Sequence, residues 1–327
     1  MLVSELRQRS APAGVCGRRC GVFAQQGLGV EFVDCVPAAD RSLRGYAVTL
    51  EALADGVADF ALSSVAYLLA GQTETQGRLG SRFAAVFHQR NPIAGLVRED
   101  SDLREAADLA GRNAAGQGGS WFAQELQGAL AHMGLGPAVI VEAAAGNHAA
   151  LREGEIDVIP AWVDMLPGYK GGVPVRAIPL DIEVYATGLV AADRLPLELV
   201  ERMRDALTAG YELQREQSEL GIAAFRRRFP NISEDHLRTA WSVLEPYAFD
   251  GPTPGSMDAK RWKATIDYTA AAHGLSVFPA ERVYRPEVLA PARELARAYP
   301  GRRGARAGPA RDVVAGGEGV VVGAVGP

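Results

Sequence analysis

The feature that most constrains this chain is a grammar of short apolar runs of strand length, alternating with segments of helix length and written twice over. Residues 29–36 (GVEFVDCV) read as a strand after a short helix that ends near Gly27, where a glycine takes the left-handed cap. Residues 50–53 and Asp55-Gly56 read as helix and turn, and 59–64 (DFALSS) as a buried strand ending in hydroxyls. An apolar helix starts over 65–70, and 82–87 (RFAAVF) is a compact strand whose end carries His88, Gln89 and Arg90. After Asn91-Pro92 the pattern repeats, with strands over 93–98, 111–116, 138–142 and 157–162 and helices over 106–109, 121–133 and 147–152. Such alternation predicts parallel α/β layers.

A strand returns over 183–192 (EVYATGLVAA), and helices follow over 196–217, 221–229, 233–244 and 258–273. Ser233 and Asp258 stand where side-chain oxygens accept from free helix N–H groups. Beyond Pro291 the chain is rich in Gly, Ala and Arg without amphipathic period, which predicts a disordered tail over 292–327.

A length of 327 residues, 48% hydrophobic and 22% charged, exceeds one ordinary lobe and predicts two. A net charge of −5, from 34 Lys+Arg against 39 Asp+Glu, offers no broad cationic face, so nucleic acid is not an expected partner. Cys16, Cys20 and Cys35 are an odd set that cannot all pair, and lack the further ligands a metal requires. The opening MLVSELRQRSAPAGVCGRRCG has no apolar run of the roughly 7 to 15 residues a signal peptide needs, and nowhere do about 20 apolar residues run together.

The ordered segments GVFAQQGLGVEF (21–32), LADGVADFALSS (53–64), VREDSDLREAADLAGRNAA (97–115), LREGEIDVIPAW (151–162), YATGLVA (185–191) and SMDAKRW through ERVYRPEVL (256–289) stand in one order. In that order the chain resembles the solute-binding proteins of ABC importers for nitrate, sulfonates, riboflavin and the thiamine pyrimidine precursor. Its closing segment looks most like the riboflavin or thiamine-pyrimidine branch.

The resemblance implies an α/β, two-lobed type 2 periplasmic-binding-protein fold, each lobe a mostly parallel sheet flanked by helices. Residues 1–93 and 188–291 would form the first lobe and 94–187 the second, with hinge strands around Leu96 and Gly188. It further implies a small-molecule ligand, an ABC permease partner, a monomer, no cofactor and an extracytoplasmic location. Without a visible signal peptide, the cytoplasm is the alternative.

Ligands in open α/β sheets lie beyond the carboxyl ends of strands, where both lobes would meet. Ser63 and Ser64 end a strand and open a helix, an arrangement suited to a carboxylate, sulfonate, phosphate or carbonyl oxygen, although Ser64 also reads as a plain helix cap. Gln89 follows the strand ending at Phe87, in a stretch that reads equally as a surface turn. Gly118, Gly119 and Ser120 form a turn before a helix where the backbone can approach a ligand closely. Trp121, Trp162 and Tyr185 are candidates for stacking on a flat heterocycle, with core packing as the other reading. Asp164 could accept from a ring nitrogen or amine, and Thr187 lies on the returning strand. Trp241 and Trp262 fall in helical patterns and read as core.

No catalytic or metal-ligating residue is expected. Two enzyme types sharing the fold are the competing readings. The thiamine pyrimidine synthase type needs a cleft lysine for its pyridoxal phosphate, and Lys170, Lys260 and Lys263 all fall outside the matching segment. The aryl-sulfinate desulfinase type uses a cysteine with a histidine and an arginine, for which Cys16 or Cys20 with His88 and Arg90 are the available residues. One departure stands out: the opening strand expected before Gly21 is replaced by an Arg- and Cys-bearing stretch. Residues 1–20 and 292–327 are therefore expected to lie outside ordinary family sequence, as an altered reading frame or a misplaced start would produce.

Overall fold

Strand residues such as Phe60, Ala61, Phe83, Ala85, Val190 and Ala191 are wholly buried, so their sheet is covered on both faces. The structure, a computed structural model, describes residues 21–34, 50, 52–116, 120–143, 146–166, 173–228, 230–289 and 319–324. The chain runs α1 (Val22–Gln25), β1 (Gly29–Asp34), β2 (Phe60–Ser64), α2 (Val65–Glu74), β3 (Ser81–Val86), β4 (Ile93–Arg98), β5 (Asn113–Ala115), α3 (Trp121–His132), β6 (Val139–Val141), α4 (Asn147–Glu153), β7 (Ile159–Trp162), β8 (Val175–Pro179) and β9 (Thr187–Ala192). It continues through α5 (Leu197–Glu216), α6 (Ser218–Arg228), α7 (Glu234–Ala248), α8 (Ala259–His273), α9 (Ala280–Val283) and β10 (Gly319–Ala324).

One sheet has the order β1-β10-β2-β9-β3, a second β7-β4-β8, and a third pairs β5 with β6. A parallel bridge between Ala114 and Val158 joins β5 to the start of β7 and links the two smaller sheets. The expectation of mostly parallel sheets needs correction. β9 runs antiparallel to β2 and β3, and β4 runs antiparallel to β7 and β8, whereas β1 with β10, β10 with β2, and β5 with β6 are parallel. The physical reason is that β4 and β9 are entered from the other half of the molecule. They follow no crossover helix within their own sheet, which is what would have made them parallel.

Residues 319–324, inside the segment expected to be a disordered tail, form a strand between β1 and β2, with Gly319 opposite Gly29 and Val322 opposite Phe60.

The passages between the halves are 87–92, from β3 to β4, and 180–186, from β8 to β9. They lie side by side: Ala186 N donates to His88 O (3.1 Å) and Asn91 N to Ile182 O (3.2 Å). The helices after β9 close over both halves. α5 is amphipathic, burying Val200, Met203, Leu207 and Tyr211 at helical spacing, and stacks Tyr211 flat on Phe87 at 4.6 Å. α8 crosses α3 so closely that a Cβ on Gly128 would overlap the Ala272 Cβ and lie 2.8 Å from its Cα. Trp262, on the same helix, is fully buried against Phe83, Tyr185 and Tyr284, and Trp241 packs near Tyr211. Among the described residues no helix is long and apolar enough to cross a membrane.

At Gly128 two effects of opposite sign compete. Alanine improves intrinsic helix propensity by about 1 kcal/mol, but overpacking a tight contact costs about 1–3 kcal/mol. The overlap is with helix backbone and a Cβ, neither of which can rotate away, so steric cost wins. Gly128→Ala is expected to lower the thermal midpoint and Gly128→Val to lower it further, as measured by circular dichroism melts.

Candidate functional site

The candidate site lies where the two passages meet the ends of β2, β7 and α3. β2 ends in two serines that the fold treats differently. Ser64 has extended backbone, and its Oγ accepts from Tyr67 N (3.2 Å), so it caps α2. Ser63 Oγ is buried and has no hydrogen-bond partner among the described residues. In the antiparallel register Ser63 sits opposite Gly188 and Ser64 opposite Thr187. Opposite residues share a sheet face, so the adjacent hydroxyls belong to different faces. Residue 188 has to be glycine, since a Cβ there would overlap Ala85 O and approach Val86 Cα to 2.9 Å. The carbonyl of Thr187 accepts from Phe87 N (2.9 Å) and His88 N (3.0 Å), while its Oγ1 is buried without a partner among the described residues.

His88 starts an aromatic cluster. Its ring meets Trp162, at the end of β7, edge-on at 5.5 Å. Trp162 in turn meets Trp121, the first residue of α3, at 5.5 Å and Phe122 at 6.2 Å. Trp121 also lies 5.8 Å from Tyr67 and stacks on His273 at 5.9 Å with 9° between planes. Edge-to-face pairs of this kind are attractive and fix ring orientation. Trp121 Nε1, Trp162 Nε1 and His88 Nδ1 are all buried without hydrogen-bond partners among the described residues. Burial lowers the His88 pKa to about 4, which keeps its ring neutral at pH 7. Two indole N–H donors, an imidazole nitrogen and a threonine hydroxyl thus stand without partners among the described residues, on three residues in ring contact and on Thr187, whose carbonyl accepts from His88 N. Asp164, in the short helical turn Val163–Met165 after Trp162, is also buried.

Of the other residues singled out from sequence, Ser120 stands at the start of α3 without a side-chain capping bond, and Gly118 and Gly119 lie outside the described residues. Tyr185 is turned to α8: its hydroxyl accepts from Asp258 N (2.8 Å), its ring meets Trp262 at 5.1 Å, and Arg261 covers it at 5.2 Å. Burial, more than these neighbours, pushes its phenol up. Gln89 fastens a loop, donating to Val86 O (2.6 Å) and Ser256 O (2.9 Å). Arg90 pairs with Asp181 (3.2 Å) and lies over Tyr247 (4.6 Å). Cys16, Cys20, Cys35 and Lys170 lie outside the described residues, and Lys263 is exposed in a pair with Asp267.

Sequence reasoning missed a buried polar group beside this cluster. Glu125 Oε2 lies 2.5 Å from His273 Nε2, and its Oε1 accepts from Asn91 Nδ2 (2.5 Å) and Tyr268 OH (3.1 Å). Burial, then the Glu125 carboxylate, pushes the Tyr268 phenol far up. A signal did exist: Glu125 follows Trp121 by one helical turn and shares the apolar stripe of Leu126 and Ala129, an unusual place for a carboxylate.

The family described as "NMT1/THI5 like" matches residues 15–219. No curated protein matches the chain. Among solved structures, the periplasmic aliphatic sulphonate binding protein SsuA from Escherichia coli has a TM-score of 0.64 at 17% identity, covering 85% of this chain and 90% of that one. The alkanesulfonate-binding protein SsuA from Xanthomonas axonopodis pv. citri, bound to MOPS, gives 0.60 at 19%, covering 85% and 96%. A cysteine-to-serine mutant of DszB in complex with biphenyl-2-sulfinic acid gives 0.59 at 16%, covering 85% and 94%. At such identities these likenesses show the fold alone, an α/β fold matching type 2 periplasmic binding proteins.

Neutral burial of His88 has a pH consequence. Its pKa is about 4 in the folded chain against 6.5 when unfolded, so between those values the unfolded chain binds a proton that the folded chain refuses. Its contribution is fully present above pH 6.5 and is lost as pH falls toward 4, amounting to ~2 kcal/mol by pH 5. In His88→Asn the fall in melting temperature from pH 7 to pH 5 is expected to shrink, and an unchanged fall would contradict a buried neutral ring.

Proposed function

The chain belongs to the NMT1/THI5-like family, and from that membership we propose that it is a solute-binding protein for ABC-type import. Its solute is a small, planar heterocyclic or anionic organic molecule, held between two lobes. The observation that carries this reading is the group of buried, unpartnered polar atoms on His88, Trp121, Trp162 and Thr187 around edge-packed aromatic rings. A buried donor without an acceptor costs about 1–3 kcal/mol, so a solute that supplies acceptors recovers energy the protein has left unused. The rings supply flat apolar walls and the N–H groups supply direction, the combination that small-molecule sites require.

On this reading residues 1–93 with 188–291, joined by the strand Gly319–Ala324, make one lobe and 94–187 the other, with the paired passages 87–92 and 180–186 as the hinge between them. Thr187, Trp121 and Trp162 face the solute, with Ser120 and Asp164 at its border and Ser63 on the other face of β2. Ser64 acts through the α2 cap, and Tyr185 and Gln89 hold the surrounding loops. The protein works outside the cytoplasm as a monomer that delivers its cargo to a membrane permease. The likeness to sulfonate-binding proteins supports an oxyanion on the solute.

The likeness to DszB favours a second reading, a desulfinase acting on an aryl sulfinate through Cys16 or Cys20. The two readings separate in one experiment. Riboflavin, thiamine precursors, alkyl and aryl sulfonates and nitrate are titrated against thermal unfolding, and biphenyl-2-sulfinate is incubated with the protein and assayed for sulfite. A binding protein shows a saturable rise with one solute class, about 2.7 kcal/mol at 100 times Kd, with no product. Trp162→Ala is expected to weaken that solute roughly 10- to 100-fold. Sulfite release that disappears when Cys16 and Cys20 are replaced by serine would establish the enzyme instead.

A further inference from the structure

We infer that Glu125 and His273 form a joint that fixes the pose of Trp121 and ties it to the junction of the two halves, making His273 a positioning residue for the solute face. The inference rests on the solute-site reading above for its functional meaning, but not for its geometry.

His273 ends α8, and its side chain is fully enclosed. Both ring nitrogens are held from consecutive residues of α3: Nε2 lies 2.5 Å from Glu125 Oε2 and Nδ1 lies 3.2 Å from Gln124 Oε1. Two such contacts remove the ring's rotation about its own axis and its swing about Cβ. Trp121, one turn before Glu125 on the same helix, lays its indole parallel on that immobilised ring. The imidazole is thus gripped at its edge by residues 124 and 125 and offers its face to residue 121.

The carboxylate extends the joint. Glu125 Oε1 takes Asn91 Nδ2 from the first passage and Tyr268 OH from α8. Asn91 itself donates its N–H to Ile182 O in the second passage and accepts from Ile93 N at its side-chain oxygen (3.1 Å). One buried side chain therefore connects α3, α8 and, through Asn91, both passages. A buried carboxylate is tolerated only when several donors reach it, and removing one of them leaves the charge exposed to a low dielectric. That cost holds the four segments in a single arrangement. One turn beyond Glu125 the same helices meet at Gly128 and Ala272, so the joint has a steric stop beside it.

The consequence is that the Trp121 ring, with its unpartnered Nε1, is set by a residue more than 140 positions away and on the other side of the junction. A general packing role for His273 would affect stability only. A positioning role also affects the indole and the affinity of whatever it touches.

The test uses the full chain and His273→Gln, in which an amide can still donate to Glu125 while nothing remains to stack on Trp121. Trp121 emission is isolated as the difference between each chain and its Trp121→Phe derivative, with no solute present. The expected result is a red shift of that difference emission and stronger acrylamide quenching. The dissociation constant for biphenyl-2-sulfinate, used as the aryl oxyanion probe, is expected to rise about tenfold. The double variant Glu125→Gln with His273→Gln exchanges the pair for two amides, and is expected to regain melting temperature relative to Glu125→Ala without regaining the wild-type Trp121 signature.

Variants that melt lower but keep wild-type Trp121 emission and quenching overturn the inference and leave His273 as packing. If the probe binds no form of the protein while the emission moves as expected, the joint stands and the solute-site reading is what fails.

Discussion

The rest of the molecule is arranged around two backbone hydrogen bonds, Ala186 N to His88 O and Asn91 N to Ile182 O, which pair the passages between the halves. A buried backbone has to satisfy its polar groups, and neither passage lies within a sheet that could do so. By satisfying one another they become a short ribbon. Around it Thr187 O collects two N–H groups, from Phe87 and His88, and Val65 N, the first donor of α2, finds Ala186 O at 2.9 Å. The N-terminus of α2, the end of β2 and the ring of His88 are thus placed by the same few peptide groups. Glycine at 188 lets β3 come close enough to complete this arrangement.

Periodicity located most of the elements. Residues 93–98 are a strand over the predicted span, the helix read over 121–133 is found at Trp121–His132, and that read over 258–273 at Ala259–His273, capped by Asp258 as its acceptor side chain suggested. The strand read over 183–192 begins only at Thr187, because 183–186 belong to the passage, where Ala186 N donates to His88 O, Tyr185 N to Thr265 Oγ1 and Val184 N to Ile182 O instead of to a sheet. Strand direction was not legible. An apolar run has the same pattern whichever way its neighbours point, and alternation with helices suggests parallel pairing unless the chain changes sheets. That change happens at both passages, where all the antiparallel pairing begins. The strand Gly319–Ala324 was hidden because its glycine-rich surroundings carry no amphipathic period.

The site was partly legible for a related reason. Ser63, Trp121, Trp162 and Thr187 stand at element ends, where polar or aromatic side chains after apolar runs are conspicuous, and the structure gathers Trp121 and Trp162 with His88 in one aromatic contact set, while the Thr187 carbonyl accepts from His88 N. Tyr185 and Gln89 were conspicuous on the same grounds but have their hydrogen-bonding groups committed to Asp258, Val86 and Ser256. A residue's type and position give its capacity, and only the tertiary neighbourhood decides whether that capacity is already used. The Glu125–His273 pair shows the converse, since its partners are 148 residues apart and neither has a local pattern that requires the other.

The electrostatic character of the junction follows from these commitments. Arg90, the nearest cation by sequence, is engaged by Asp181 and Tyr247, and His88 is neutral through burial. What remains to meet a solute on the proposed reading is a set of neutral donors: two indole N–H groups, a hydroxyl and the N-terminal end of α3, which has no side-chain cap. Neutral dipoles fixed in a low dielectric can stabilise an oxyanion without the desolvation cost of a buried cation. They also discriminate differently from an ion pair. A long-range charge attracts any anion and weakens with salt, whereas N–H groups held by edge-packed rings act only at contact and only in one direction. Selectivity at such a junction therefore depends on ring geometry, so the residues that hold the rings matter as much as those that reach the solute.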